Sequence, residues 1–328
     1  MILLEGCDRC GKTTTAMALR EILGSWSFRS HTKPVGDVFP YQLQTIADSS
    51  TRVILDRCHY SNIVYGQLFG NQPIFTARDW RFLELALQAL QCTVIWLDDE
   101  DEAITSRWSK DEMYAQDTAV KIAKAYREYF QTQQPHRTAL HIIKANLTDM
   151  IDLKTSKPTT LLATIAKHEM VKLKRAVDMH LLPPTAGIGN VNPGGFVIIG
   201  EAPSPVQYQG YIAARLPWDM GPAAEWLWKA LDARHINVHR GYYTNASAYS
   251  ASHLLRLLST MSPDVVVALG TKAKQLVQET DELGKLSAIS NLVYLRHPMA
   301  AKRFDFNGFE NYADELAKPL ENFITIGG

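Results

Sequence analysis

The densest chemistry in the chain lies at its start. Gly6, Cys7, Asp8, Arg9, Cys10, Gly11, Lys12 and Thr13 fit the spacing G-x-x-x-x-G-K-[ST] at every fixed position. Glycines let a backbone wrap an anion closely, so that several N–H groups and a helix N-terminus point at phosphate oxygens. A lysine at this spacing reaches the β and γ oxygens, and the hydroxyl after it ligates Mg²⁺. The pattern predicts an ATP site in which Gly6, Gly11, Lys12, Thr13 and Thr14 hold the phosphates and Thr13 also holds Mg²⁺. Arg9, inside the loop, is placed to spread the charge of a transferring phosphoryl group. A surface arginine that the loop merely tolerates is the plainer alternative. Further on, Asp56-Arg57 closes an apolar segment, RVILD. A guanidinium at such a strand end can clamp an acceptor phosphate bidentately, or simply form a strand-end ion pair. The C-x-x-C of Cys7 and Cys10 has no second pair and no histidine at ligand spacing, so metal or redox chemistry has little support.

These residues need elements to hold them. Met1–Glu5 is an apolar run, Gly6–Lys12 a loop, and Thr13–Leu23 has helical spacing through Ala16, Leu19 and Leu23. Arg52–Asp56, Cys92–Leu97 and His141–Lys144 read as further strands, with helices at Asp79–Leu90 and Thr118–Phe130. This alternation predicts an α/β domain over 1–150, with a parallel sheet and helices on both faces. From 151 to 194 the texture changes to a helical, Pro/Gly-rich linker: a polar stretch, a basic amphipathic helix at Leu161–Leu182, then LPPTAGIGNVNPGG. Lys167, Lys172, Lys174 and Arg175 give that helix a stripe that either contacts a nucleic-acid backbone or is a solvated face. A second α/β rhythm fills 195–328, beginning with the strand FVIIG.

The opening ILLEGCDRCGKTTTA resembles thymidylate kinases, in which E-G-x-D-x-x-G-K-[ST]-T is typical. The arginine after the loop aspartate is similar to the type that carries its catalytic arginine in the loop. The resemblance implies a P-loop kinase domain, with Lys12, Arg9 and Asp8 as catalytic residues and Asp8 against the acceptor sugar. DRCHYSNIVYG resembles the D-R motif of thymidylate and deoxynucleotide kinases. That implies an acceptor site of Asp56, Arg57 and Tyr65, the tyrosine stacking on the base. The stretch after Trp96-Leu97-Asp98 is similar to the lead into the lid of these kinases, which makes Arg107 and Lys110 lid candidates. Asp111 and Glu112 beside Lys110 depart from an arginine-rich lid and shift catalytic weight to Arg9. For Lys110, a solvated helix-end charge is the plain alternative.

In the second half, Gly200-Glu201-Ala202-Pro203 follows a strand, Asn245 ends GYYTN, and Arg296-His297-Pro298 follows LVYL. Their order resembles the uracil-DNA glycosylase superfamily. The resemblance implies that fold, with Glu201 steadying a sugar or a water, Asn245 reading a base edge and His297 steadying a leaving base. Ser204 stands where the family has glycine, and Met299 where it has serine, so binding is favoured over cleavage. A turn acid, a strand-end amide and a structural His-Pro remain the alternative. Lys302 and Arg303 are placed to grip a DNA phosphate.

The 328 residues suit two domains, and Lys+Arg and Asp+Glu balance at 34 each. Overall charge therefore gives no argument for nucleic acid. No apolar run approaches the roughly 20 residues of a membrane span, and MILLEG lacks a basic leader. With four cysteines confined to the first third, a cytoplasmic location is expected (the host's, if the setting is viral). The expected function is transfer of the γ-phosphoryl of ATP to dTMP or a 5-substituted dUMP. The alternative is a kinase acting on 5-hydroxymethyluracil in DNA, in a bacteriophage-like modification system, with the second domain holding DNA or a flipped base. A nucleotide substrate is the expected partner, DNA a second one through the C-terminal domain, and a homodimer is compatible with the kinase resemblance.

Overall fold

The computed structural model describes residues 1–30, 38–47, 52–70, 75–109, 115–133, 140–179, 186–202, 217–218, 221–304 and 308–325. Lys110, Pro203 and Ser204 lie outside them. The chain divides into two compact units, Met1–Leu83 with Leu90–Ala176, and Glu84–Ala89 with Val177–Gly328.

Unit 1 is built on five strands: β1 (Ile2–Glu5), β2 (Ser27–Ser30), β3 (Val53–Asp56), β4 (Thr93–Leu97) and β5 (His141–Ala145). They are all parallel, in the order β2-β3-β1-β4-β5. Helices α1 (Lys12–Leu23), α2 (Val38–Ala47), α3 (His59–Phe69), α4 (Ala77–Ala89), α5 (Asp101–Ser106), α6 (Gln116–Glu128) and α7 (Leu147–Met150) join them. The central strands β1 and β4 are buried at every residue, as a strand covered on both faces must be. Between β1 and β4 the strand order reverses. The crevice beyond their C-terminal ends is where an open α/β sheet offers a ligand site.

The stretch read as a linker divides differently. A short hairpin, β6 (Ile151–Asp152) with β7 (Lys157–Pro158), leads into a 19-residue helix, α8 (Thr160–Asp178). Most of α8 belongs to unit 1 because a buried polar knot ties it to the sheet. Glu169 Oε1 accepts from Thr93 Oγ1 at 2.6 Å and from Lys172 Nζ at 2.8 Å. Lys172 therefore leaves the proposed basic stripe, its ammonium held inside the unit.

The first strand of unit 2, β8 (Gly187–Gly189), lies within the stretch read as a linker. It continues through β9 (Phe196–Gly200), α9 (Pro222–Ala233), β10 (Gly241–Asn245), α10 (Ala251–Met261), β11 (Val265–Leu269), α11 (Thr271–Gly284), β12 (Asn291–Leu295), α12 (Pro298–Phe304) and α13 (Gly308–Ala317). The sheet order is β12-β11-β9-β10-β8, parallel except where β8 runs antiparallel to β10. Val197, Ile199, Val266 and Ala268 pack against Leu254, Leu257, Leu258 and Val277 to form the core on one face.

Candidate functional site

The phosphate loop leaves β1 through Gly6, whose φ of 138° lies in the region that favours glycine. A Cβ there would stand 2.4 Å from the carbonyl oxygen of Leu97, so only a bare backbone passes across the end of β4. Gly11, at φ 92°, opens α1, and a Cβ on it would meet Leu147 Cδ1 at 2.5 Å. Arg9 lies exposed at the loop tip with φ 64°. Lys12 is 6% exposed and turns its ammonium into the loop, 3.0 Å from Gly6 O and 2.5 Å from Cys7 O. Thr13 and Thr14 lie exposed in the first turn of α1. An inward ammonium, exposed hydroxyls and a helix N-terminus form a donor set that fits a triphosphate with its Mg²⁺. Cys7 and Cys10 are buried free thiols, the Cys10 thiol donating to Cys7 O at 3.0 Å.

Beside the loop, β3 ends at Asp56 and the chain turns through Arg57 at φ 71°. Backbone N–H of Arg57 donates to Leu4 O at 2.8 Å. Its guanidinium pairs with Asp8 Oδ1 and lies 5.0 Å from the centre of the Tyr65 ring. Tyr65 donates its hydroxyl to Asp8 Oδ2 at 3.1 Å. Burial works against the Arg57 charge, but Tyr65, Tyr126 and Asp8 outweigh it and hold its pKa above the ordinary value. The expected acceptor residues Asp8, Arg57 and Tyr65 thus meet as one cluster. Tyr65 is engaged through its hydroxyl rather than presented only as a stacking face. Asp56 has one buried oxygen, Oδ1, without a hydrogen-bond partner among the described residues.

Sequence reasoning passed over Glu5. It is fully buried at the end of β1. Oε1 accepts from the Cys58 backbone N–H at 2.7 Å. Oε2 accepts from Ser61 Oγ at 2.6 Å and from the Tyr126 hydroxyl at 3.2 Å. Burial pushes its carboxyl up to about 7, against the pull of those donors and of Arg57. The signal was a carboxylate at the end of a wholly apolar run.

The lid candidate Arg107 is anchored at the end of β4. Its guanidinium donates to Asp99 Oδ2 at 2.5 Å and to Ala103 O at 2.8 Å. Arg127, not foreseen, forks onto Asp98 and Asp101, at 2.7 Å each, and onto Asp99 O at 2.5 Å.

In unit 2, Glu201, Asn245 and His297 lie at the C-terminal ends of β9, β10 and β12, with β11 between β9 and β12. Asn245 pairs in register with Gly200 across β10 and β9. Glu201 extends over the end of β11, where its Oε1 accepts from Lys272 N–H at 3.3 Å in the first turn of α11. His297 follows β12. Its Nδ1 accepts from Met299 N–H at 3.3 Å, which leaves Nε2 to carry the proton of the neutral ring. Burial lowers the His297 pKa, and the nearby Glu201 charge partly restores it. Asn245 is 3% exposed and its Nδ2 has no partner among the described residues. Trp218, also unforeseen, closes the group. Its indole N–H donates to Thr244 O at 3.1 Å, and its ring stacks on His297 with centroids 6.4 Å apart. A Cβ on Gly200 would lie 2.3 Å from Trp218 Cζ2 and 2.7 Å from Asn245 Oδ1, so this packing requires glycine. Lys302 turns its ammonium over the Trp226 ring at 5.9 Å.

Residues 186–321 match the uracil DNA glycosylase superfamily. Over 143 residues the chain is 31% identical to the SPbeta prophage-derived uncharacterized protein YorR of Bacillus subtilis strain 168, covering 42% of this chain and 85% of YorR. Among solved structures it is similar to YorR from Bacillus subtilis in complex with phosphorylated GDP, at 26% identity and a TM-score of 0.41 over 53% of this chain and 95% of that one. It is also similar to deoxyadenosine kinase from M. mycoides with bound dATP, at 16% identity and a TM-score of 0.30 over 53% of this chain and 98% of that one.

Proposed function

Because the chain belongs with YorR in one family through its first unit, and residues 186–321 form a domain of the uracil DNA glycosylase superfamily, we propose that it is a nucleotide kinase carrying a base-binding domain. Unit 1 transfers the γ-phosphoryl of ATP to a thymidylate-like deoxynucleoside monophosphate, dTMP or a 5-substituted dUMP. The observation that carries this reading is the phosphate loop beside the Asp8–Arg57–Tyr65 cluster. One set of donors suits a triphosphate, and a guanidinium next to it suits the acceptor. On binding, the Lys12 ammonium exchanges the carbonyls of Gly6 and Cys7 for phosphate oxygens. Arg9 spreads the charge that develops on the transferring group. Thr13 would hold a Mg²⁺ ion, which would supply charge neutralisation at the phosphate oxygens.

A second reading rests on the cluster of Glu201, Asn245, His297 and Trp218 in the same chain. A buried amide and an aromatic wall suit an extruded base, so DNA containing 5-hydroxymethyluracil is the alternative acceptor. The prophage origin of YorR fits such a setting. We favour base binding over glycosidic cleavage, since Ser204 and Met299 depart from the family pattern.

Incubation with γ-labelled ATP and, separately, dTMP, 5-hydroxymethyl-dUMP and DNA bearing 5-hydroxymethyluracil tests both readings. Label on a free monophosphate supports the first and label on DNA the second. Transfer to none of them sinks both.

A further inference from the structure

We propose that Glu5 is a positioning residue that sets Arg57 for the acceptor nucleotide, an inference that rests on the kinase reading above. Glu5 does not itself reach the ligand crevice as a donor or acceptor. It is fully buried, and its carboxylate oxygens receive the Cys58 N–H, the Ser61 hydroxyl and the Tyr126 hydroxyl. Those three donors come from the turn after β3, from α3 and from α6. A single carboxylate at the root of the phosphate loop thus gathers the elements that wall the acceptor side.

The link to Arg57 is through the backbone. Arg57 occupies the left-handed region, at φ 71°, which a bulky side chain adopts only when its neighbours enforce it. Two successive N–H groups are pinned there. Arg57 N–H donates to Leu4 O at 2.8 Å and Cys58 N–H donates to Glu5 Oε1 at 2.7 Å. Consecutive residues of β1, one by its main chain and one by its side chain, therefore hold the turn that aims the guanidinium at Asp8. The Ser61 and Tyr126 hydroxyls lie 2.6 Å apart and share the second oxygen, which keeps the carboxylate from rotating away from Cys58. Removing the carboxylate frees the turn, so Arg57 samples orientations that do not face the acceptor. The phosphate loop retains its glycines, Lys12 and its helix.

The test is steady-state kinetics of the full chain with dTMP and ATP, joined to a double-mutant cycle with Arg57→Ala. Glu5→Ala is expected to raise KM for dTMP about tenfold and to change KM for ATP less than about twofold. Glu5→Gln keeps an acceptor for Cys58 N–H and is expected to recover most of the loss. In Glu5→Ala/Arg57→Ala the effects are expected to be non-additive, the double variant matching Arg57→Ala alone. If Glu5→Ala fails to fold, Ser61→Ala and Tyr126→Phe are read the same way, each expected to raise the dTMP KM about threefold. Equal rises in both KM values, or effects that add to those of Arg57→Ala, reduce Glu5 to a structural carboxylate and overturn the proposal. A wild-type chain that neither binds nor phosphorylates dTMP or 5-hydroxymethyl-dUMP overturns the free-nucleotide reading first, and this inference with it.

Discussion

Lys12 holds its ammonium among the loop carbonyls, and Arg9 lies exposed at the loop tip. Lys12→Ala and Arg9→Ala are each expected to lower kcat/KM for phosphoryl transfer by a factor on the order of 100, about 3 kcal/mol of transition-state stabilisation. The melting temperature of Arg9→Ala should hardly move, because an exposed side chain leaves no cavity. Near-normal turnover in Arg9→Ala would transfer the role to Arg107. Glu5 makes a separate prediction about stability. Its folded carboxyl titrates near 7, whereas an ordinary one titrates near 4.5. Between those values the native state keeps a proton that the unfolded chain has lost. Stability therefore falls as pH rises through that window, by about 3 kcal/mol in all. Denaturant unfolding of wild type at about pH 5 and about pH 8 should show this loss, and Glu5→Gln, which does not titrate, should flatten it. Equal slopes in the two proteins would refute the assignment.

Among the elements, the ends of β9 and β10 carry the tightest geometric demand. Gly200 lets Trp218 and Asn245 approach the same backbone, and Trp218 cannot retreat freely while its indole N–H holds Thr244 O. Gly200→Ala is expected to destabilise unit 2 by about 1–3 kcal/mol, the usual cost of forcing an atom into a packed site. It should also change Trp218 fluorescence, while phosphoryl transfer by unit 1 stays near normal. A variant with unchanged stability and emission would show that the cluster is looser than the geometry implies.

On the scale of the whole molecule, two sheets with separate strand orders give each unit its own core. Fragments 1–176 and 177–328 are each expected to melt cooperatively when expressed alone. The first should keep most of α8, because Glu169 is buried against Thr93. A truncation before Thr160 should unfold more readily than 1–176, since it exposes the Thr93 side of the sheet and deletes Glu169. If neither fragment gives a cooperative transition, the division into units fails. No helix among the described residues is long and apolar enough to cross a membrane.

What the sequence by itself determined is what depends on short stretches of chain. The phosphate loop was legible because its glycines, lysine and threonine act within eight consecutive residues, between an apolar strand and a periodic helix. Arg57 and His297 were legible as polar residues at the ends of apolar runs. The superfamily of unit 2 could be read from the order of three short motifs. β2, with the polar sequence SFRS on a mostly exposed edge, carries no apolar alternation, and only pairing with β3 makes it a strand. β8 is hidden in a Gly-rich stretch and exists because β10 offers it an antiparallel edge. Lys172 looked like part of a basic surface until Glu169 and Thr93 claimed it. Tertiary structure alone decided the roles of Glu5, Arg127 and Trp218. Each is defined by partners on other elements, and a linear pattern holds no information about which distant hydroxyl, carboxylate or carbonyl a buried polar group will meet.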